Sequence, residues 1–156
     1  MSGSSSLPLP AFDMNFTPSF HDIAHLAHLE LLTPKPEESL AFFTNIVGLH
    51  ESGRAGDSVY LRAWGDYERT TLKLTAAKTS GIGHVAFRAR SSEVLARLVE
   101  HLGSNGVEGK WIDGDIGHGP AFRVFDPDGH TIEIYTKDNM DDLYKRWTRW
   151  LQGQGG

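Results

Sequence analysis

The order of segments along this chain occurs twice, and this repeat is the strongest constraint on its fold. In each half, a stretch with period-2 alternation of apolar residues precedes a helical pattern and then further short strand-like stretches. The two halves are offset by about 55 residues, which is typical of an internal repeat. One such unit alone would leave a sheet face uncovered. We therefore predict an α+β fold in which two βαβββ modules form a curved mixed sheet around a cleft.

The first unit is predicted to begin with a strand from His25, followed by a helix that starts at Pro36 and ends at Gly48. The later strands of this unit are predicted at 59–64 and 70–75, and the segment between His50 and Val59 is ambiguous. In the second unit, a helix capped by Ser91 or Ser92 is predicted between strands at 82–89, 110–113, 121–125 and 131–136.

The repeat divides the chain into three parts, with a flexible lead at 1–20, the paired domain at 21–137 and a tail at 138–156. The tail is predicted to contain a C-terminal amphipathic helix, because its apolar residues follow a helical stripe: Met140, Leu143, Tyr144, Trp147, Trp150 and Leu151. This helix could dock on its own domain, on a second subunit or on a domain that is absent from this chain.

Composition and charge exclude several classes of function. The net charge is −5 and no long basic run occurs, which argues against a nucleic-acid partner. Without cysteine there is no disulfide framework, zinc ribbon or thiol nucleophile. No apolar stretch approaches the roughly 20 residues of a membrane span, and residues 1–20 do not resemble a secretory signal. The expectation is a cytoplasmic protein without a membrane partner.

Three residues that could bind a metal occupy matching places in the two units. His28 and His84 lie in the first strand of each unit, and Glu133 lies in the last strand of the second. Strand alternation turns each away from its apolar neighbours. Two imidazoles and one carboxylate would suit a non-haem Fe(II) site with open positions for substrate and oxygen. The alternative is that these residues are packed or surface residues without a ligand role.

The position that matches Glu133 in the first unit is Lys73, which cannot bind a metal. Three protein ligands, and hence an open site, are therefore expected. His118 and His130 flank the strand that leads to Glu133, and either could reach the cleft as a catalytic residue. The other four histidines are expected to be solvated: His21, His25, His50 and His101. Motifs for dinucleotide binding, phosphate loops and nucleophile elbows are absent, so no organic cofactor is predicted.

Several segments resemble the vicinal oxygen chelate superfamily, which is also described as a glyoxalase-like fold. The two strand openings, Ala27-His28-Leu29-Glu30-Leu31 and Gly83-His84-Val85-Ala86-Phe87, carry this resemblance together with the closing motif at 125–133. Within the superfamily, the chain is most similar to the extradiol catechol dioxygenases, especially the amino-terminal domain of the two-domain enzymes. That closer similarity rests on the segments at 62–65, 72–74 and 111–120.

The resemblance implies an oxygen-dependent cleavage of a catechol ring with Fe(II), in which His28, His84 and Glu133 match the metal ligands of the family's catalytic domain. A small aromatic would be the substrate, and a homo-oligomer would be expected. In that catalytic domain a Tyr precedes the Asp-Pro of the closing motif by three residues, whereas this chain has Arg123. His118 is an approximate counterpart of the family's catalytic histidine.

Two other interpretations stay open at this point. The chain could be a non-catalytic module that binds a small aromatic or a partner, because the amino-terminal half of two-domain relatives is a structural partner without iron. It could also be a lyase or isomerase of the same superfamily that uses another divalent metal. Stoichiometric iron binding distinguishes an iron enzyme from a module without metal.

Overall fold

The computed structural model describes residues 17–136, and within them the order of elements repeats. The first unit consists of β1, α1, a π-helical continuation, β2, β3 and β4: Ile23–Thr33, Pro36–Ala41, Phe42–Val47, His50–Ala55, Ser58–Arg62 and Leu72–Ala76. The second unit consists of β5, α2, β6, β7 and β8: Gly81–Ala89, Ser92–Ser104, Gly109–Ile112, Ala121–Phe125 and Thr131–Tyr135.

The strands form one mixed eight-stranded sheet in the order β2-β3-β4-β1-β5-β8-β7-β6. At its centre β1 and β5 pair antiparallel, and each pairs in parallel with the last strand of its own unit, β1 with β4 and β5 with β8. The predicted α+β class is confirmed. Because the first strands of both units adjoin, the residues that begin each repeat lie next to each other at the middle of the sheet.

The register supports the predicted equivalence of Lys73 and Glu133. Lys73 is paired with Glu30 across β4 and β1, and Glu133 is paired with Ala86 across β8 and β5. Lys73 and Glu133 therefore lie at equivalent positions, each in the strand that runs parallel to the first strand of its unit. Their pairing partners, Glu30 and Ala86, come two residues after His28 and His84 respectively.

The helices of the two units differ in how they pack. The side chain of Ser91 accepts a hydrogen bond from the amide of Val94 and so caps α2, as predicted. The apolar stripe of α2 is buried against the sheet through Val94, Leu95, Leu98 and Val99. By contrast, neither α1 nor its π-helical continuation contains a buried residue. The larger described core cluster consequently lies in the second unit.

The helical segment of the first unit ends as the sequence predicts. Gly48 follows Val47 with a φ of 95°, a left-handed conformation that glycine adopts without a steric penalty. Beyond it, the ambiguous stretch contains β2, which pairs with β3 as the edge of the sheet.

Strand β1 departs from simple alternation. Its pairing with β5 shifts in register between Leu26 and His28 and again between Glu30 and Leu31. Strand alternation alone would place Leu26 on the same face as His28, but Leu26 is 60% exposed whereas His28 is 5% exposed. The register shift explains why Leu26, two positions before His28, is not buried with it.

The predicted C-terminal helix and most of the flexible lead lie outside the described residues, and the boundaries at 21 and 137 stay predictions. Among residues 17–136, no helix is long and apolar enough to cross a membrane.

Candidate metal centre and substrate cavity

The central pairing of β1 and β5 brings His28 and His84 into direct contact. Their Nε2 atoms lie 2.7 Å apart, and both side chains are buried. The carboxylate of Glu133, on β8 beside β5, places Oε1 3.5 Å from His84 Nε2. All three residues offer ligand atoms within 4.8 Å of one another. The structure thus brings together the three residues that the sequence predicts as metal ligands.

The other ring nitrogen of each histidine has an acceptor. His84 Nδ1 lies 3.1 Å from Glu30 Oε1. His28 Nδ1 lies 3.5 Å from the hydroxyl of Tyr135, whose own proton is donated to Glu68 Oε1 at 3.0 Å. These partners assign the proton of each neutral imidazole to Nδ1.

With both protons on Nδ1, the two Nε2 lone pairs face each other at 2.7 Å. Burial, together with the neighbouring His84, lowers the pKa of His28 to about 3, so His28 does not take up a second proton at neutral pH to relieve this contact. A cation between the lone pairs would relieve it. The donor set therefore fits a divalent transition metal, for which neutral imidazole nitrogen and carboxylate oxygen are suitable ligands.

Glu133 is held by Arg123, the residue that stands where the resembling family has a Tyr. Arg123 Nη2 and Nε donate to the same oxygen, Glu133 Oε2, at 2.6 and 3.1 Å. The opposite oxygen, Oε1, is the one that lies near His84. Arg123 thus orients the carboxylate with one oxygen toward the histidine pair.

A cavity of about 230 Å³ adjoins this cluster and is large enough for a small aromatic ring. Its wall includes two of the three candidate ligands, His84 and Glu133, as well as His118. The wall carries four carboxylates against two basic groups: Glu30, Asp113, Asp115 and Glu133, against Lys73 and Arg123. Counted without the histidines, this excess of two negative charges matches one divalent cation.

Lys73 is directed at the loop that covers the cavity rather than at the histidines. Its Nζ donates to Asp115 Oδ2 at 2.5 Å, and Tyr60 donates to Asp115 Oδ1 at 2.6 Å. Burial disfavours the charged ammonium, but the hydrogen bond to Asp115 outweighs it and raises the pKa of Lys73. Asp115 is bridged to His118 through backbone hydrogen bonds, so this contact anchors the loop that carries His118.

The two predicted catalytic histidines lie in different places. His118 lines the cavity and stacks on Tyr135, with ring centroids 3.9 Å apart. Its Nδ1 lies 2.6 Å from the carbonyl of Gly119, and burial lowers its pKa. His130 is exposed and bound to Asp126 at 2.9 Å, and it lines neither this cavity nor the smaller one beside His28.

His25, which was expected to be solvated, contacts a buried group instead. Its Nε2 lies 2.9 Å from Glu68 Oε2, and Arg88 donates to the same oxygen at 3.0 Å. Glu68 is only 4% exposed because these two groups and Tyr135 replace water around it. His25 is therefore only partly solvated, with 34% of its side chain exposed, since the loop between β3 and β4 folds back onto the start of β1.

The sequence analysis did not identify several residues that support the centre. Strand alternation alone would place Glu30 on the same face as His28, and a carboxylate on that face is a signal that could have identified it. Glu68 and Asp115 lie in loops, where no periodicity indicates side-chain direction.

Comparison with known proteins gives a consistent result. Residues 25–134 match the family model described as Glyoxalase/Bleomycin resistance protein/Dioxygenase superfamily. A metapyrocatechase of Geobacillus stearothermophilus is 50% identical over 121 residues, which cover 78% of this chain and 37% of that protein. A manganese-dependent 2,3-dihydroxybiphenyl 1,2-dioxygenase of Geobacillus genomosp. 3 is 41% identical over 116 residues, again 37% of its length.

Solved structures show the same relationship. A variant of homoprotocatechuate 2,3-dioxygenase from Brevibacterium fuscum superposes with a TM-score of 0.71 at 27% identity, over 85% of this chain and 36% of that one. The 2,3-dioxygenase LapB from Pseudomonas sp. KL28 gives 0.73 at 25% identity, over 76% and 42%. The chain thus spans little more than a third of the length of the two curated relatives above.

Proposed function

Since the chain belongs to the Glyoxalase/Bleomycin resistance protein/Dioxygenase superfamily, we propose that it acts in the extradiol cleavage of a catechol-type aromatic by O₂. The metal would be Fe(II), or another divalent ion, held by His28, His84 and Glu133. The observation that carries this proposal is the pair of facing Nε2 atoms, 2.7 Å apart and both without an assigned proton.

The residues of the chain would bind and orient the reactants. When bound, a divalent ion supplies Lewis acidity and a template for two adjacent oxygens. The cavity next to His84 and Glu133 would receive the ring, and its volume of about 230 Å³ accommodates a small aromatic. Arg123 would keep Glu133 oriented, with Oε2 engaged and Oε1 toward His84.

We assign proton transfer to His118 rather than to His130, since His118 lines the cavity. Its Nδ1–H donates to the carbonyl of Gly119, which leaves the lone pair on Nε2. Burial lowers the pKa of His118, so that the ring is neutral and can accept a proton near pH 7. Asp115, held by Lys73 and Tyr60, would keep the His118 loop over the cavity.

A second candidate is a non-catalytic module that binds a small aromatic or a partner domain. It is favoured by one observation: the chain covers 37% of the metapyrocatechase and of the manganese-dependent relative, so the activity in their names belongs to much longer proteins.

We also propose that the protein forms a homo-oligomer and is located in the cytoplasm. Light scattering would test the oligomeric state, and cell fractionation would test the location.

The deciding experiment measures Fe(II) bound per chain after anaerobic loading, and then product formation after catechol and O₂ are added. We expect near-stoichiometric iron and a yellow ring-cleavage product for the wild type, and loss of both in His84→Ala. His50→Ala is the matched control, because it removes an exposed imidazole outside the described cavities. No iron, or equal iron in wild type and His84→Ala, would contradict the metal centre and support the second candidate, whereas iron binding without product would contradict the proposed ring cleavage.

A further inference from the structure

We propose that Glu30 is a positioning residue that holds His84 in the ring form whose Nε2 is free for a metal, and that Gly83 provides the space in which its carboxylate lies. This inference rests on the proposed metal centre and extends it to residues outside the ligand set. The ring form of His84 is a property of the metal-free protein, so the effect of Glu30 on it can be tested without any metal.

Both oxygens of the Glu30 carboxylate have partners. Oε1 lies 3.1 Å from His84 Nδ1, and Oε2 accepts from the hydroxyl of Thr75 at 2.7 Å. The ammonium of Lys73 lies 3.8 Å from Oε2, and the Glu30 side chain is only 14% exposed. The carboxylate is therefore fixed from two sides and has little freedom to leave His84.

The contacts of Glu30 define the ring form of His84. Oε2 of Glu30 accepts from Thr75, and Oε1 lies at hydrogen-bond distance from His84 Nδ1, where it is the acceptor for a ring proton. The proton of a neutral His84 ring is therefore on Nδ1. The Nε2 lone pair is then directed at His28 and Glu133.

Gly83 makes this contact sterically possible. A Cβ at this position would lie 1.9 Å from Glu30 Oε1 and 2.6 Å from its carboxylate carbon. The backbone of Gly83 is not in the left-handed region, so conformational freedom does not explain the glycine. A glycine is required here because the carboxylate of Glu30 packs against the β5 backbone, next to the candidate ligand His84, and a side chain at position 83 would occupy its space.

The two ligand histidines are held unequally. The residue that corresponds to Glu30 in the second unit is Ala86, and His28 instead faces the neutral hydroxyl of Tyr135 at a longer distance of 3.5 Å. A charge-assisted hydrogen bond is stronger than a neutral one. We therefore infer that loss of Glu30 weakens metal binding more than loss of the Tyr135 hydroxyl.

The test uses the full 156-residue chain with two measurements. Imidazole ¹⁵N shifts of His84 in the metal-free protein report which ring nitrogen carries the proton. Titration with Mn²⁺, followed by the electron paramagnetic resonance of the free ion, reports affinity. The variants are Glu30→Ala, Glu30→Gln and Gly83→Ala, and the control is Glu51→Ala, which removes a carboxylate paired with Arg54 at the surface.

We expect mixed ring protonation of His84 and a 10- to 100-fold weaker Mn²⁺ affinity in Glu30→Ala and Gly83→Ala. Glu30→Gln should keep the proton on Nδ1, because its amide carbonyl can still accept, and should lose less affinity. The control should match the wild type. A merely structural role for Glu30 would not produce this rescue by glutamine.

Unchanged His84 shifts in Glu30→Ala would overturn the inference, as would unchanged Mn²⁺ affinity in a protein whose wild type binds the ion. A wild type that binds neither Mn²⁺ nor Fe(II) would overturn the metal centre instead, and the His84 shifts would then still decide whether Glu30 sets its ring form. If Gly83→Ala fails to fold, the two Glu30 variants decide the outcome.

Discussion

Arg123 and Glu133 form a pair in which two guanidinium nitrogens bind one carboxylate oxygen, Oε2. The carboxylate is 3% exposed and the guanidinium side chain 33% exposed, so the pair connects a buried anion to the wall of the cavity. Because Oε1 is left to face His84, Arg123 both compensates the negative charge of Glu133 and orients this candidate metal ligand.

Replacement of Arg123 by leucine should destabilise the metal-free protein by about 2 kcal/mol, because a buried carboxylate loses its counter-ion while the partial exposure of the arginine limits the loss. Added Mn²⁺ should return more stability to the variant than to the wild type, since the ion then supplies the missing positive charge. Urea unfolding with and without Mn²⁺ measures both effects. Arg54→Leu, at an exposed ion pair, should leave the stability close to that of the wild type. Equal stability of both variants would contradict the assigned role.

The stability of the metal-free protein should fall as the pH decreases below 6.5. The pKa of His28 is lowered to about 3 by burial and by the neighbouring His84, so the unfolded chain binds a proton that the folded one rejects. This contribution is fully present above the unfolded value of 6.5 and is lost as the pH falls toward 3. Between pH 7.5 and 5 it amounts to about 2 kcal/mol.

Urea unfolding at a series of pH values checks this, with His28→Gln as the comparison. The variant should show a shallower decline by about the same 2 kcal/mol, since the glutamine does not titrate. The carboxylates stay largely ionised above pH 5, so they contribute little in this window. Parallel curves for the two proteins would show that His28 is not buried as a neutral ring.

Removal of the Asp115 carboxylate should loosen the loop that carries His118. Asp115→Ala removes the acceptor for Lys73 and Tyr60, and we expect about 1.5 kcal/mol of destabilisation. If the protein turns over catechol, kcat should fall much more than metal affinity, because the ligands lie on strands and His118 lies on the loop. Asp113→Ala, which removes an exposed carboxylate from the same loop, is the control for stability alone, because Asp113 also lines the cavity, and it should leave stability within about 0.5 kcal/mol of wild type.

The Tyr135 hydroxyl links His28 to the buried Glu68, and its removal should have a moderate effect. In Tyr135→Phe, Glu68 keeps its contacts with His25 and Arg88, so the loss of stability should be only about 1 kcal/mol. Mn²⁺ affinity should decrease, though by less than in Glu30→Ala. Thermal unfolding and Mn²⁺ titration measure the two effects, and a Tyr135→Phe variant weaker for Mn²⁺ than Glu30→Ala would contradict the unequal support of the two histidines.

Those parts of this molecule that depend on local periodicity can be predicted from the amino-acid sequence. Alternation located β1 and β5, the helical stripe located the buried face of α2, and the repeat indicated that His28, His84 and Glu133 would stand at matching places. These features follow from the directions of successive side chains along one element, so they can be interpreted without knowledge of neighbouring strands.

Tertiary structure decided which side chains meet across elements. The register shifts in β1 separate Leu26 from His28, and strand pairing brings Glu30 to His84 and Arg123 to Glu133. Loop closure brings Glu68 to Tyr135 and Asp115 to Lys73. Such contacts join residues up to 107 positions apart, as for His28 and Tyr135, and they depend on register and loop path, which local patterns do not encode.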